Sequence, residues 1–298
     1  MKKPSLVFQS VGSLRKQKVI KKLFVIGNPI RHSKSPTIHN YWLKKYNIKA
    51  TYTKVEANRD ELLSYVNNVK YKEIKGFNVT LPFKKDFLNL VDYVENEAKN
   101  SLAVNTIFEN NGKVIGTNTD GLGFVTSLRR DLNFELKRGL NIFCYGAGGA
   151  AYGIISELIK CQPSLIEISN RTLSKAEILV SHFSKKENNN VIFKTLPWGE
   201  EPKEYTDIVI NTSTCGMNIN DNFPSNLKKL SINTLVYDII YNPKETVLMK
   251  IARQNDLRAV NGIYMLVRQA AESFRKWFGI NLSDKDISDV IKLLGHDV

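Results

Sequence analysis

From Leu23 onward, short apolar runs alternate with stretches in which apolar residues recur every three or four positions, the pattern of strands alternating with helices. Residues 23–26 are the first run, closed by Gly27, and residues 51–55 and 74–79 are the next two. Between them, Ser35 and Pro36 give an N-cap and first-turn signal for a helix with Ile38, Tyr41 and Trp42 on one face. Leu62, Leu63, Val66 and Val69 form the stripe of another. Asn111-Gly112 separates residues 102–108 from 113–116, which predicts a two-residue hairpin and antiparallel pairing in an otherwise alternating lobe. A mixed α/β sheet is expected there.

A helix is expected near Asp120, followed by six short apolar runs at 140–145, 165–169, 191–195, 207–211, 234–238 and 257–260. Their weak alternation predicts strands buried on both faces, and helical stretches such as that carrying Ile154, Ile155, Leu158 and Ile159 lie between several of them. The expected second lobe is a doubly wound parallel sheet of the Rossmann type. After Gly262 come two helices, 263–278 and one capped by Ser283, expected to return to the first lobe. The domain reading is therefore a basic extension at 1–22, a first lobe made of 23–119 plus 262–298, and a second at 120–261.

Charge changes the picture at one end only. Of 43 basic residues in 298, 13 lie before Glu56, where no acidic residue occurs, and the remainder nearly balance the 29 acidic groups. Clustered cations suit nucleic acid, yet no base-stacking motif or helix-turn-helix accompanies them, so the expectation is a solvated tail and a lobe that meets small anions. No apolar run approaches the length of a membrane span, and three widely spaced cysteines, Cys144, Cys161 and Cys215, suit reduced thiols in the cytoplasm. The four histidines lack nearby ligands at metal spacing, so no metal is expected. A homodimer is left open.

The run Gly146-Ala147-Gly148-Gly149-Ala150 follows a predicted strand and opens a predicted helix, where glycines permit a tight turn and free amides can hold a pyrophosphate. An NAD site expects an acidic residue at the end of the next strand. This chain has Asn170-Arg171-Thr172, then Lys175, and cations there suit the 2′-phosphate of NADP.

The string from Gly27 through Ser33, Lys34, Ser35 and Pro36, together with Gly76-Phe77-Asn78-Val79-Thr80-Leu81-Pro82-Phe83-Lys84, resembles the shikimate dehydrogenase family. Ala103-Val104-Asn105-Thr106, residues 116–121, the glycine run, residues 211–217, Tyr237-Asp238 with Tyr241, and Gly262 with Met265 and Gln269 agree in the same order. The resemblance runs from about Leu23 to the C-terminus. It implies reversible hydride transfer between NADPH and the ring ketone of 3-dehydroshikimate, in the path to chorismate and aromatic amino acids, with closure of two lobes around the substrate. It also implies Lys84 and Asp120 as the catalytic pair, with Ser33, Ser35, Thr80, Asn105, Tyr241 and Gln269 as further substrate contacts. Thr212, Gly262 and Met265 join the glycine run and residues 170–175 on the cofactor side. Two positions depart from the family's usual residues, Thr117 and Asn261. Quinate as substrate remains an alternative, as does a non-enzymatic binder built on the same fold.

Overall fold

A computed structural model describes residues 21–185, 190–218 and 220–296. Residues 1–20 of the expected extension therefore lie outside the described residues, while Lys21 and Lys22 already belong to the first strand.

The first sheet is mixed. β1 (Lys21–Gly27), α1 (Ser35–Lys45), β2 (Ala50–Glu56), α2 (Leu62–Lys70) and β3 (Gly76–Val79) are followed by β4 (Tyr93–Val94), α3 (Asn96–Ser101), β5 (Thr106–Asn110) and β6 (Lys113–Thr117). Strand order is β2-β1-β3-β5-β6-β4. β1 runs parallel to β2 and β3, and β5 runs antiparallel to β3 and β6. Asn111 and Gly112 both take positive φ in the turn between β5 and β6, as a two-residue hairpin requires. The strand before that turn starts at Thr106 rather than Leu102, because Leu102 is a left-handed residue closing α3. In α2, Leu62, Val66 and Val69 face the core, and Leu63, one step round the helix, is exposed.

After α4 (Asp120–Arg130) come β7 (Asn141–Tyr145), α5 (Gly149–Leu158), β8 (Leu165–Asn170), α6 (Leu173–Ser184), β9 (Ile192–Pro197), β10 (Ile208–Asn211), β11 (Leu235–Asp238), α7 (Val247–Gln254) and β12 (Arg258–Val260). All six strands are parallel, in the order β12-β11-β10-β7-β8-β9, which is the doubly wound arrangement with its reversal between β7 and β10. The four inner strands are buried on both faces. β9 and β12 are edge strands and are half-exposed, so burial on both faces does not extend to them.

The closing helices α8 (Ile263–Phe278) and α9 (Asp284–Leu293) pack with α1 on the first sheet, where Trp42, Phe274, Trp277, Val290 and Ile291 share one apolar cluster. Ser283 caps α9, accepting from the Asp286 amide while Asp286 returns a bond to the Ser283 amide. The chain passes from the first sheet to the second through α4 and returns through α8, and these two helices lie side by side. α4 also presses on α5: a Cβ on Gly121 would stand 2.1 Å from the Gly153 carbonyl oxygen, so only glycine permits that approach.

Candidate active site

β1 and β3 are parallel, with Ile26 opposite Val79, so the loops carrying Ser33–Ser35 and Thr80–Lys84 leave the sheet at one end. β5 and β6 are paired at Thr106 and Thr117, and Thr106 lies opposite Asn78, which brings Asn105 and residues 118–120 to the same end. Lys84 sits on a short 3-10 turn, Phe83–Leu88, and its carbonyl accepts from the Val104 amide at 2.8 Å. Its Nζ lies 2.5 Å from Asp120 Oδ2, both side chains being largely but not wholly buried. Asp120 is the first residue of α4 rather than its cap, which is Thr119. The Asp120 amide donates to Asn118 Oδ1 at 2.9 Å, leaving the carboxylate to hold Lys84 on one oxygen and, on the other, the Asn105 Nδ2 at 2.7 Å.

Asn105 is spent in several directions: Nδ2 donates to Thr119 Oγ1 at 2.9 Å, and Oδ1 accepts from the Thr119 amide at 2.9 Å. Gln269, on α8, places Oε1 within 3.3 Å of Thr119 Oγ1 and 3.4 Å of Asn105 Nδ2. Lys84, Asp120, Asn105 and Gln269 thus form one connected group. Ser35 is buried in the first turn of α1, and its amide donates to Ser33 Oγ at 3.3 Å. Lys34, not Ser35, is the cap residue: Ser35 is already the first residue of the helix, and Pro36 follows it in the first turn. Thr80 packs its methyl over Gly27, and half-buried Tyr241, whose phenol burial pushes above its ordinary value, leans on the cluster beneath α1 and α8.

Several polar residues here carry no local sequence signal strong enough to single them out. Asn78 is buried in the middle of β3, and its amide nitrogen reaches Asn105 O at 3.0 Å, Thr106 Oγ1 at 3.1 Å and Ser273 Oγ at 3.0 Å. For Asn78 the hints are a polar residue inside the apolar run Gly76–Val79 and its place in the string that carries the family resemblance. Asn118 and Thr119 belong to the same network.

At the carboxyl ends of β7 and β8 the second sheet offers backbone. Gly146 has φ of +102°, and a Cβ there would meet the Ser213 amide nitrogen at 2.8 Å. Gly148 caps α5 without a side-chain bond and Gly149 begins it, and a Cβ on either would touch nothing within 4 Å. Open space over the free amides of a helix start fits a dinucleotide pyrophosphate. Asn170 ties this turn to the next loop: its Oδ1 accepts from the Ala147 amide at 3.1 Å and its Nδ2 donates to Thr172 O at 2.7 Å. Arg171 and Lys175 are exposed beyond it, the guanidinium lying over Trp198 at 5.8 Å. Thr212 Oγ1 donates to Tyr145 O at 2.9 Å. Ala150 lies in the first turn of α5, and Gly262 presses on the Ile239 carbonyl. Met265 is packed in the core with its amide donating to the Tyr237 hydroxyl, as a helical methionine ordinarily is.

Asp238, at the end of β11, is fully buried; it accepts from Asn211 Nδ2 at 3.0 Å and Thr246 Oγ1 at 2.7 Å. Burial pushes its carboxyl up to about 6, with the bonds from Thr246, Ile240 and Asn211 opposing the rise. Among the described residues no group of three or more His, Cys, Asp or Glu could hold a metal, and no helix is long and apolar enough to cross a membrane.

Residues 25–107 match the family model for the shikimate dehydrogenase substrate binding domain, and residues 262–287 match that for the shikimate 5'-dehydrogenase C-terminal domain. A shikimate dehydrogenase (NADP(+)) of Pelagibacter ubique is 40% identical over 263 residues, covering 88% of this chain and 95% of that one. This chain belongs to the shikimate dehydrogenase family. A crystal structure of a shikimate dehydrogenase in complex with NADP+ superimposes with a TM-score of 0.82 at 33% identity, over 93% of this chain and 96% of that one. A 5-ketofructose reductase of a Gluconobacter strain superimposes with a TM-score of 0.84 at 27% identity, covering 93% of this chain and 99% of that one. Within the shikimate dehydrogenase frame, Ser33, Ser35, Thr80, Lys84 and Asn105 fall in the first matched segment and Gly262, Met265 and Gln269 in the second. The glycine turn and Asp120 lie between the two.

Proposed function

We propose that this chain is an NADP-dependent shikimate dehydrogenase, reducing the ring ketone of 3-dehydroshikimate to shikimate and running the reverse oxidation. The observation that carries the reading is the 2.5 Å contact of Lys84 and Asp120, residues from two separate segments meeting where the strand ends of the first sheet converge. NADPH, when bound at Gly146–Ala150 and beside Arg171 and Lys175, supplies the hydride. A ketone carbon that accepts hydride leaves negative charge on its oxygen, and that oxygen must gain a proton. Lys84 Nζ donates that proton, and in the reverse direction takes it from the hydroxyl. Asp120 orients the ammonium and is itself fixed by Asn105, so the donor is aimed before substrate arrives.

Ser33 and Ser35 offer short donors at the start of α1 for the substrate carboxylate, where the helix end also favours an anion. Thr80, Asn105, Tyr241 and Gln269 serve the ring hydroxyls. The chain divides into 23–119 with 262–298 as the substrate domain and 120–261 as the dinucleotide domain, hinged at α4 and α8. A cytoplasmic setting fits the three free cysteines.

The test is a panel of shikimate, quinate and a neutral polyol with NADP and with NAD at alkaline pH. Formation of NADPH with shikimate, fastest among the pairs, is expected. No turnover of shikimate with either cofactor would overturn the reading, and faster turnover of quinate would redirect it.

A further inference from the structure

Tyr52 is the one buried position of the edge strand β2, at 2% exposure, and it is held from every side. Asn40 on α1 clamps its backbone as a neighbouring strand would: Asn40 Oδ1 accepts from the Tyr52 amide at 3.0 Å and Nδ2 donates to the Tyr52 carbonyl at 2.8 Å. His39, the preceding residue of α1, stacks on the Tyr52 ring at 4.3 Å with planes 19° apart. The hydroxyl donates to Asn78 Oδ1 at 2.6 Å.

A tyrosine needed only as core would be served as well by phenylalanine. Here the hydroxyl has a specific consequence. Asn78 spends its amide nitrogen on Asn105 O, Thr106 Oγ1 and Ser273 Oγ, and the phenol is the donor that occupies its oxygen. The Asn105 carbonyl can only accept, so it fixes which way the Asn78 amide is turned, and the phenol supplies the donor that the amide oxygen then needs. Turned as it is, Asn78 braces the Asn105 backbone, whose side chain holds Asp120.

We propose that Tyr52 is a positioning residue of the substrate site: Asn40 clamps its backbone to α1, the helix that Ser35 begins, and its hydroxyl ties that helix to Asn78 and through Asn78 to the Asn105–Asp120–Lys84 group. The inference rests on the proposed function, in which Ser35 and Lys84 hold opposite parts of one substrate. The distance between them is then set by a strand that touches neither part of the reaction.

Tyr52→Phe keeps the ring and its stacking and removes only the hydroxyl. The expected result is a KM for shikimate raised about tenfold, the size of leaving one buried acceptor without its donor, with the KM for NADP unchanged. A general loss of folding would instead lower kcat and leave both KM values in place. Ser35→Ala and the double variant complete a cycle: if the two hydroxyls act together, the double variant costs less than the product of the single effects. An unchanged KM for shikimate in Tyr52→Phe, or strictly multiplicative effects, would overturn the inference while leaving the activity of the parent enzyme standing. A parent that does not turn over shikimate would take down the functional reading and this inference with it.

Discussion

At the open ends of β1 and β3 the proposed site is made of side chains, with Lys84 held by Asp120, Asp120 by Asn105 and the Asn105 backbone by Asn78, whereas at the ends of β7 and β8 it is made of main chain, a glycine turn and the first amides of α5. The two designs differ in what a single substitution can break. A side-chain site depends on partners far apart in sequence, so removing one member disturbs several others. A main-chain site survives most side-chain changes and delegates choice of ligand to a few exposed groups, in the proposed reading Arg171 and Lys175.

Lys84→Ala should have the largest effect, because it removes the proposed proton donor and leaves the Asp120 carboxylate without its cation. We expect kcat to fall by about a hundred- to ten-thousandfold, the usual range for a positioned acid or base, with NADP affinity close to that of the parent. Steady-state kinetics with shikimate varied at saturating NADP reads both quantities. A kcat within a few-fold of the parent would mean that the first sheet does not house the chemistry. On the other side of the comparison, Arg171→Ala should weaken NADP by about ten- to a hundredfold, as expected for one charge-assisted bond to a phosphate, while affinity for NAD barely moves. If both cofactors weaken alike, Arg171 supports the turn rather than reading the phosphate.

Strands built on apolar runs were legible because such runs are local: all six runs of the second lobe correspond to strands, and the Asn-Gly pair marked the β5–β6 hairpin, whereas the two-residue β4 is too short to form a run. Local signals misled where a nearby group took over the expected role. Ser35 followed by Pro36 reads as a cap, but Ser35 is already the first residue of the helix and Lys34 occupies the cap position. Lys84 and Asp120 were singled out by family resemblance, since nothing in their own surroundings distinguishes them from a solvated lysine and a helix-start aspartate. The braces stayed hidden for a related reason. Tyr52 with Asn78 spans 26 residues and Asn78 with Ser273 spans 195, and no periodicity carries information over such separations.

The smallest and most diagnostic effect concerns pH, since His39, packed on the first sheet, and Asp238, at the end of a strand of the second, are both buried and titrate in opposite senses. Burial holds His39 down to about 3 from its ordinary 6.5, with Asn78 opposing the shift. The unfolded chain therefore takes up a proton below 6.5 that the native ring refuses, and stability falls as pH drops from 6.5 toward 3. Asp238 is raised from 3.8 to about 6, so below 6 the native carboxyl holds a proton that the unfolded one lacks, and stability rises as pH drops from 6 toward 3.8. Over the shared window the two contributions offset each other. His39→Phe should expose the Asp238 contribution and Asp238→Asn that of His39, shifting the slope of stability against pH by about 1.4 kcal/mol per pH unit in opposite directions relative to the parent. Denaturant midpoints collected between 6 and 3.8 decide it, because only the difference in slope matters and acids common to all three proteins drop out. Parallel profiles would mean that neither buried group changes its protonation on folding, and the contrast between the two sheets would then be confined to their sites.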